Sequence, residues 1–193
     1  VPDASENFIV YSAYADPYSV SGEVMLYDIA TGATTILASH SDLGWAKIYG
    51  DRVVWSQGPP HARELILHDI TTNESMLLAG PSIIGPAQIG SRFVTWGSSG
   101  LECDVEVFDF ELERSYALTA TPRTCESYPS TDGDWVAWRA ADVLSPLGRV
   151  EAYNGRTGEL RIVSDDPAGA ASLVSVSGDL ITWRSNRDGH RPG

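Results

Sequence analysis

Gly50-Asp51-Arg52-Val53-Val54-Trp55 is the stretch on which the fold turns, because the chain repeats it. GSRFVTW ends at Trp96, GDWVAW at Trp138 and GDLITW at Trp183, at intervals of 41, 42 and 45 residues. Moving back 44 residues from Trp55 reaches Tyr11, at the end of FIVY, the same phrase with tyrosine for tryptophan. A unit of about 43 residues therefore runs through essentially the whole chain, and a fixed period of this size marks a repeat architecture.

Each unit carries three further landmarks. A variable stretch follows the aromatic and leads to a short apolar run: VMLYDI (24–29), LILHDI (65–70), VEVFDF (105–110) or VEAYNG (150–155). A turn comes next, then a second run, TTILA (34–38), SMLLA (75–79), SYALT (115–119) or LRIVS (160–164). Short β-branched and aromatic runs bounded by Gly, Asn, Asp and Thr read as strands. No stretch keeps the apolar spacing of an amphipathic helix over three turns. The expected class is all-β: a β-propeller of four-stranded antiparallel blades of about 43 residues, with about 4.5 repeats present. The four strands of a unit are A to D, with the Gly-Asp turn between A and B and the aromatic on B. The recurring Asp28, Asp69, Asp109 and Asn154 close strand C, where each can cap the C–D turn. Trp55, Trp96, Trp138 and Trp183 are expected to pack between blades, and His68, aligned with Tyr27, Phe108 and Tyr153, to pack as well.

These phrases resemble those of TolB-like and related surface-protein β-propellers, with GDRVVW, LILHDI-TTN and VMLYDI-ATG carrying the likeness. The resemblance implies the fold across residues 1–193 as one propeller domain or a fragment of one. It implies little about activity, since such propellers serve as binding modules, scaffolds and enzyme accessory domains. The third repeat departs from the pattern. It has an extra residue between Gly90 and Trp96, and Glu111-Leu112-Glu113 replaces the Thr-Gly turn, so a wider hairpin is expected there. Some 4.5 units do not close a ring. The reading is a ring completed by missing blades or by a second chain, because an open blade leaves unpaired strand edges.

Charge narrows the partners. Thirteen basic against 26 acidic residues give a net −13. So acidic a surface repels phosphate backbones and anionic lipid, so no nucleic-acid partner is expected. No apolar run approaches the ~20 residues of a helical span, so no membrane insertion is expected. Cys103 and Cys125 form no C-x-x-C pair and are too few for a zinc site. Both fall on the loop face of the third unit, where a disulfide between them fits an exported, extracellular or periplasmic protein. Two free thiols are the alternative. No signal peptide is visible, and a chain opening at Val1-Pro2-Asp3 reads as a mature or trimmed product.

The long B–C and D–A connections share one face, and variable loops on a rigid scaffold are where binding concentrates. That face holds Tyr14, Tyr18, His40, Trp45, His61 and Arg63, a set able to stack a sugar ring or engage a protein. Scattered loop residues are the competing reading, with Trp45 packing on the start of strand A. No metal or other cofactor is expected. His40, His61 and His190 lie in different units, and the acidic loops lack a calcium-loop register, which leaves room for a weak calcium site at most. No catalytic residue is expected, since no Gly-x-Ser-x-Gly elbow or cysteine–histidine pair is present. The expected function is an exported, non-catalytic module binding a protein or glycan through its loop face. The alternative is a propeller enzyme, or the accessory domain of one, acting on polysaccharide or peptide.

Overall fold

The structure is a computed structural model that describes residues 2–15, 21–81, 83–99, 103–145, 147–164 and 171–185. The described residues form eighteen strands and no helix. The first sheet runs in the order β1 (Asp3–Ala4), β2 (Phe8–Tyr14), β3 (Ser21–Asp28), β4 (Thr34–Ser41). The second is β5 (Lys47–Tyr49), β6 (Arg52–Gln57), β7 (Glu64–Asp69), β8 (Glu74–Ala79). The third is β9 (Ile83–Ile89), β10 (Phe93–Ser98), β11 (Val105–Asp109), β12 (Arg114–Ala117). The fourth is β13 (Thr124–Asp132), β14 (Trp135–Asp142), β15 (Gly148–Asn154), β16 (Glu159–Ser164). A two-stranded sheet follows, β17 (Ala171–Ser177) with β18 (Leu180–Ser185). Residues 1–91 and 92–193 form two compact units, divided in the turn before β10.

The turns behave as their residues dictate. Tyr49 pairs with Arg52, Asp132 with Trp135 and Ser177 with Leu180, each across a two-residue Gly-Asp turn. Gly50, Gly133 and Gly178 take φ of 56°, 56° and 54°, the sign such a hairpin needs. Between β9 and β10 the strand bounds leave Gly90, Ser91 and Arg92, the wider connection expected of the third repeat. At the other end of each blade, one side-chain oxygen accepts two backbone N–H groups. Asp28 takes those of Ala30 and Thr31, Asp69 those of Thr71 and Thr72, Asp109 those of Glu111 and Leu112, and Asn154 those of Arg156 and Thr157. The recurring Asp is therefore a turn cap. The Thr31 N–H holds the Asp28 carboxyl below the usual carboxylate range, and the Thr71 hydroxyl does so for Asp69.

The middle strands bury both faces. On β14, Val136, Trp138 and Ala140 pack with Phe93, Val105 and Val107, while Ala137 packs with Val150, Ala152, Val174 and Val176. In the first unit Trp55 joins Val10, Val24, Leu26, Leu43, Ala46, Ile48 and Val53. Trp55, Trp96 and Trp138 are buried as the period predicts. Each also finds an acceptor for its indole N–H, as a buried indole requires. Trp138 donates to Glu151 at 3.2 Å, Trp55 to Gln57 at 3.1 Å, and Trp96 to the Glu106 carboxylate. His68 is buried, bonded to the Ser75 hydroxyl at 2.9 Å, and packs near Trp55 as expected.

Trp183 departs from the expectation and stays 36% exposed. Among the described residues β18 pairs only with β17, so no third strand stands beside this indole. Replacing Trp138 with alanine should cost about 3–5 kcal/mol, the usual loss for a large core aromatic. Trp183→Ala should cost far less. Urea unfolding of the two variants measures the difference.

Candidate functional site

In the first unit the segment after β4 is strapped down from three sides. The Tyr14 hydroxyl, at the end of β2, donates to the Leu43 carbonyl at 2.9 Å. Ser12 Oγ donates to the Gly44 carbonyl at 3.1 Å, and the Gly44 N–H donates to the Ser56 carbonyl at 2.7 Å. A Cβ on residue 44 would overlap the Ser56 hydroxyl, which would have to move aside, so glycine suits this close approach. Trp45 follows at once on the anchored backbone, and 55% of its surface is exposed.

Trp45 occupies a defined position of the repeat, five residues before the turn glycine Gly50. The same position holds Gly85, Tyr128 and Leu173 in the later units. Tyr128 and Leu173 are also mostly exposed, at 58% and 63%, and both sit at bulges with φ of 55° and 51°. Gly85 shares the left-handed backbone with φ 70°, but a Cβ there would meet nothing within 4 Å. The repeat thus projects a large side chain outward at this point, and one unit omits it.

Gly85 lines a cleft of about 230 Å³, together with Leu43, Gly44, Trp45, Ser56, Arg63 and Pro86. Arg63 stands where the other units have Gly22, Cys103 and Gly148, two residues before the strand C phrase. It is half-buried, and its Nε is buried without a hydrogen-bond partner. The carboxylate next to it in sequence, Glu64, is taken by the Gln57 amide at 3.3 Å.

The cleft gathers Trp45 and Arg63 from the six loop-face residues, with Tyr14 bracing the backbone behind them. His40 lies half-buried with Nδ1 against the Ser41 carbonyl, His61 is exposed, and neither lines the cleft. Tyr18 lies outside the described residues. Among the described residues no group of three His, Cys, Asp or Glu side chains is arranged to hold a metal ion.

The compact half formed by residues 92–193 contains the Cys103–Cys125 disulfide of the third repeat, with Cα atoms 4.5 Å apart. Beside it the Glu126 N–H donates to the Cys103 carbonyl at 2.6 Å. The Glu126 side chain is fully buried, and neither carboxylate oxygen makes a hydrogen bond of normal geometry. Sequence reasoning passed over it as loop. The available signal was its repeat position, seven residues before the turn glycine, where Leu43 and Ile83 are buried apolar residues.

No family model and no curated protein matches this chain. Solved structures do. TolB from Acinetobacter baumannii is 16% identical with a TM-score of 0.61, over 95% of this chain and 51% of its own. The β-propeller domain of the Trilobed protease from Pyrococcus furiosus is 11% identical, TM-score 0.57, over 97% and 78%. A Mycobacterium tuberculosis puromycin-hydrolyzing peptidase is 13% identical, TM-score 0.62, over 90% and 32%. The fold is a TolB-like β-propeller. The propeller described here spans about half of the first of these chains and a third of the last.

Within the propeller, Glu126 yields a pH signature. Burial pushes its carboxyl up to about 7, the charges of Asp104 and Glu151 add to the shift, and the Thr121 hydroxyl opposes it. The folded chain keeps this proton between pH 4.5 and about 7, where the unfolded chain has lost it. Stability from this group is therefore full below 4.5, falls as pH rises to about 7, and is level above. Glu126→Gln abolishes the slope. Between pH 4.5 and 8 the variant should gain on the wild type by on the order of 3 kcal/mol, read from urea unfolding at both pH values.

Proposed function

We propose that this chain is an exported, non-catalytic β-propeller module that binds a protein or glycan through the loop ends of its strands. One observation carries the reading: Trp45, half-exposed on a segment held by three hydrogen bonds, borders a cleft whose other functional side chain is Arg63. A large aromatic on pre-ordered backbone binds with little further loss of conformational freedom. Arg63 also departs from the Gly22, Cys103 and Gly148 that the repeat puts at its position, so blade packing does not account for it. The disulfide supports an oxidising compartment, extracellular or periplasmic. The outer edge of β18, unpaired among the described residues, supports completion of the propeller by further blades or by a second chain.

The second reading is the propeller part of a peptidase or another hydrolase. It draws on the likeness to the puromycin-hydrolyzing peptidase and to a prolyl endopeptidase, 14% identical with a TM-score of 0.65 over 91% of this chain and 28% of its own. Affinity capture from extracellular or periplasmic extract, run beside a panel of peptide and polysaccharide substrates, tests the two together. The expected result is a specific partner whose capture weakens about ten-fold or more with Trp45→Ala, the loss typical of an aromatic anchor, and no turnover. Turnover of any panel substrate by the purified chain overturns the binding reading.

A further inference from the structure

We infer that the Trp45–Arg63 cleft is a carboxylate-recognition subsite, built to take one carboxylate of a peptide with the adjoining apolar side chain against Trp45. The inference rests on the binding reading and names its ligand chemistry. Three observations carry it independently of one another.

The first is charge. A guanidinium cannot neutralise itself by losing a proton, so where it is partly buried it needs an anion or water. Other cations of this chain have found carboxylates: Arg92 reaches Asp109, Glu111 and Asp134, Arg149 reaches Glu151, and Lys47 reaches Asp3. In a protein with 26 acidic residues, no ion pair engages Arg63 among the described residues, and its Nε is buried unpartnered. A carboxylate fits the planar fork of the guanidinium better than any neutral group.

The second is space. Gly85 lines the cleft at the position where Tyr128 and Leu173 supply a large side chain elsewhere, and a Cβ on it would meet nothing within 4 Å. About 230 Å³ suits a side chain or a chain terminus rather than a folded surface.

The third is the surrounding field. A net charge of −13 repels a polyanion, which disfavours a uronate-rich glycan and a second copy of this chain. It attracts a peptide whose other residues are basic. A single carboxylate with a basic flank is therefore the occupant that satisfies both the cleft and the field. It can come from a chain terminus or from an Asp or Glu side chain.

The test uses short synthetic peptides and the NMR signals of the Trp45 indole and the Arg63 side chain. The probes are Lys-Gly-Phe with a free C-terminus, its C-terminal amide, the amidated peptide Lys-Asp-Phe, its Lys-Asn-Phe counterpart, and a trigalacturonate. Either free-carboxylate peptide should shift both signals, with affinity about ten-fold or more above its neutral counterpart. Which pair shows the gap tells a terminus from a side chain. Arg63→Gln should remove the gap and Arg63→Lys should keep part of it. Gly85→Tyr, which restores the side chain that Tyr128 carries at φ 55°, should close the cleft and abolish the shifts, with only a modest drop in unfolding midpoint from a side chain at φ 70°. Equal binding of charged and neutral peptides overturns the carboxylate assignment and leaves Trp45 as a binding platform. Tighter binding of the trigalacturonate overturns the peptide assignment, and self-association lost in Arg63→Gln makes the occupant a second copy. No shift with any probe overturns the subsite, while the capture experiment still judges the broader reading on its own.

Discussion

An indole buried between two β-sheets needs cover on both faces and an acceptor for its N–H, and much of this chain is arranged to supply them. Trp138 shows the full set. Phe93, Val105 and Val107 cover it, Glu151 stands across from it on β15 and accepts the indole hydrogen, and Arg149 holds the other oxygen of Glu151. Trp96 repeats the arrangement with Glu106 across the ladder on β11. Trp55 faces Ile66 instead, so its acceptor comes from Gln57, two residues along its own strand. The strand beside each indole must then end sharply, and the Asp or Asn cap does this by bonding the next two turn amides. Packing sets the spacing of the tryptophans and hydrogen-bond accounting sets their neighbours.

The same need explains Gly155. Units one to three place Ile29, Ile70 and Phe110 after the capping residue, whereas the fourth places glycine. A Cβ there would come 2.5 Å from Cζ of Phe93, a fully buried ring with no room to move. A large residue in one blade has been matched by a missing one in the next, as close packing demands. Arg92, in the widened third turn, adds an ionic link by reaching both Asp109 of its own blade and Asp134 of the following one.

How much of this was legible in the sequence follows from what periodicity can carry. Strands, turns, the burial of Trp55, Trp96 and Trp138, the Asp cap and the disulfide were all readable, since each recurs or follows from where a recurring element puts its ends. Trp183 shares the phrase but not the cover, and a phrase cannot say whether a neighbouring sheet is present. At the site, Trp45 and Arg63 were singled out as residue types, but the cleft was not. One of its walls is the glycine at position 85, and that this repeat position points outward is visible only once the bulges at Tyr128 and Leu173 are seen. Glu126 was hidden for a related reason. The bulge between Ser127 and Ser130 shifts the register of β13, so alternation counted back from Thr131 misplaces its side chain.

Glu126 and Arg63 both break the repeat with a charge where blade packing asks for none, and the chemistry of the two groups separates their consequences. A fully buried carboxyl can take up a proton and become neutral, which is the direction its surroundings push it. It needs no partner from outside, and being fully buried it could reach none. Arginine has no such route, because its charge persists at any pH a folded protein meets. Its half-exposed position keeps the desolvation cost within what water can offset while the cleft is open, and leaves the terminal nitrogens able to exchange that water for an anion. Of these two groups, the buried acid resolves its own cost by protonation, whereas the arginine depends on what comes to it from outside, water or an anion.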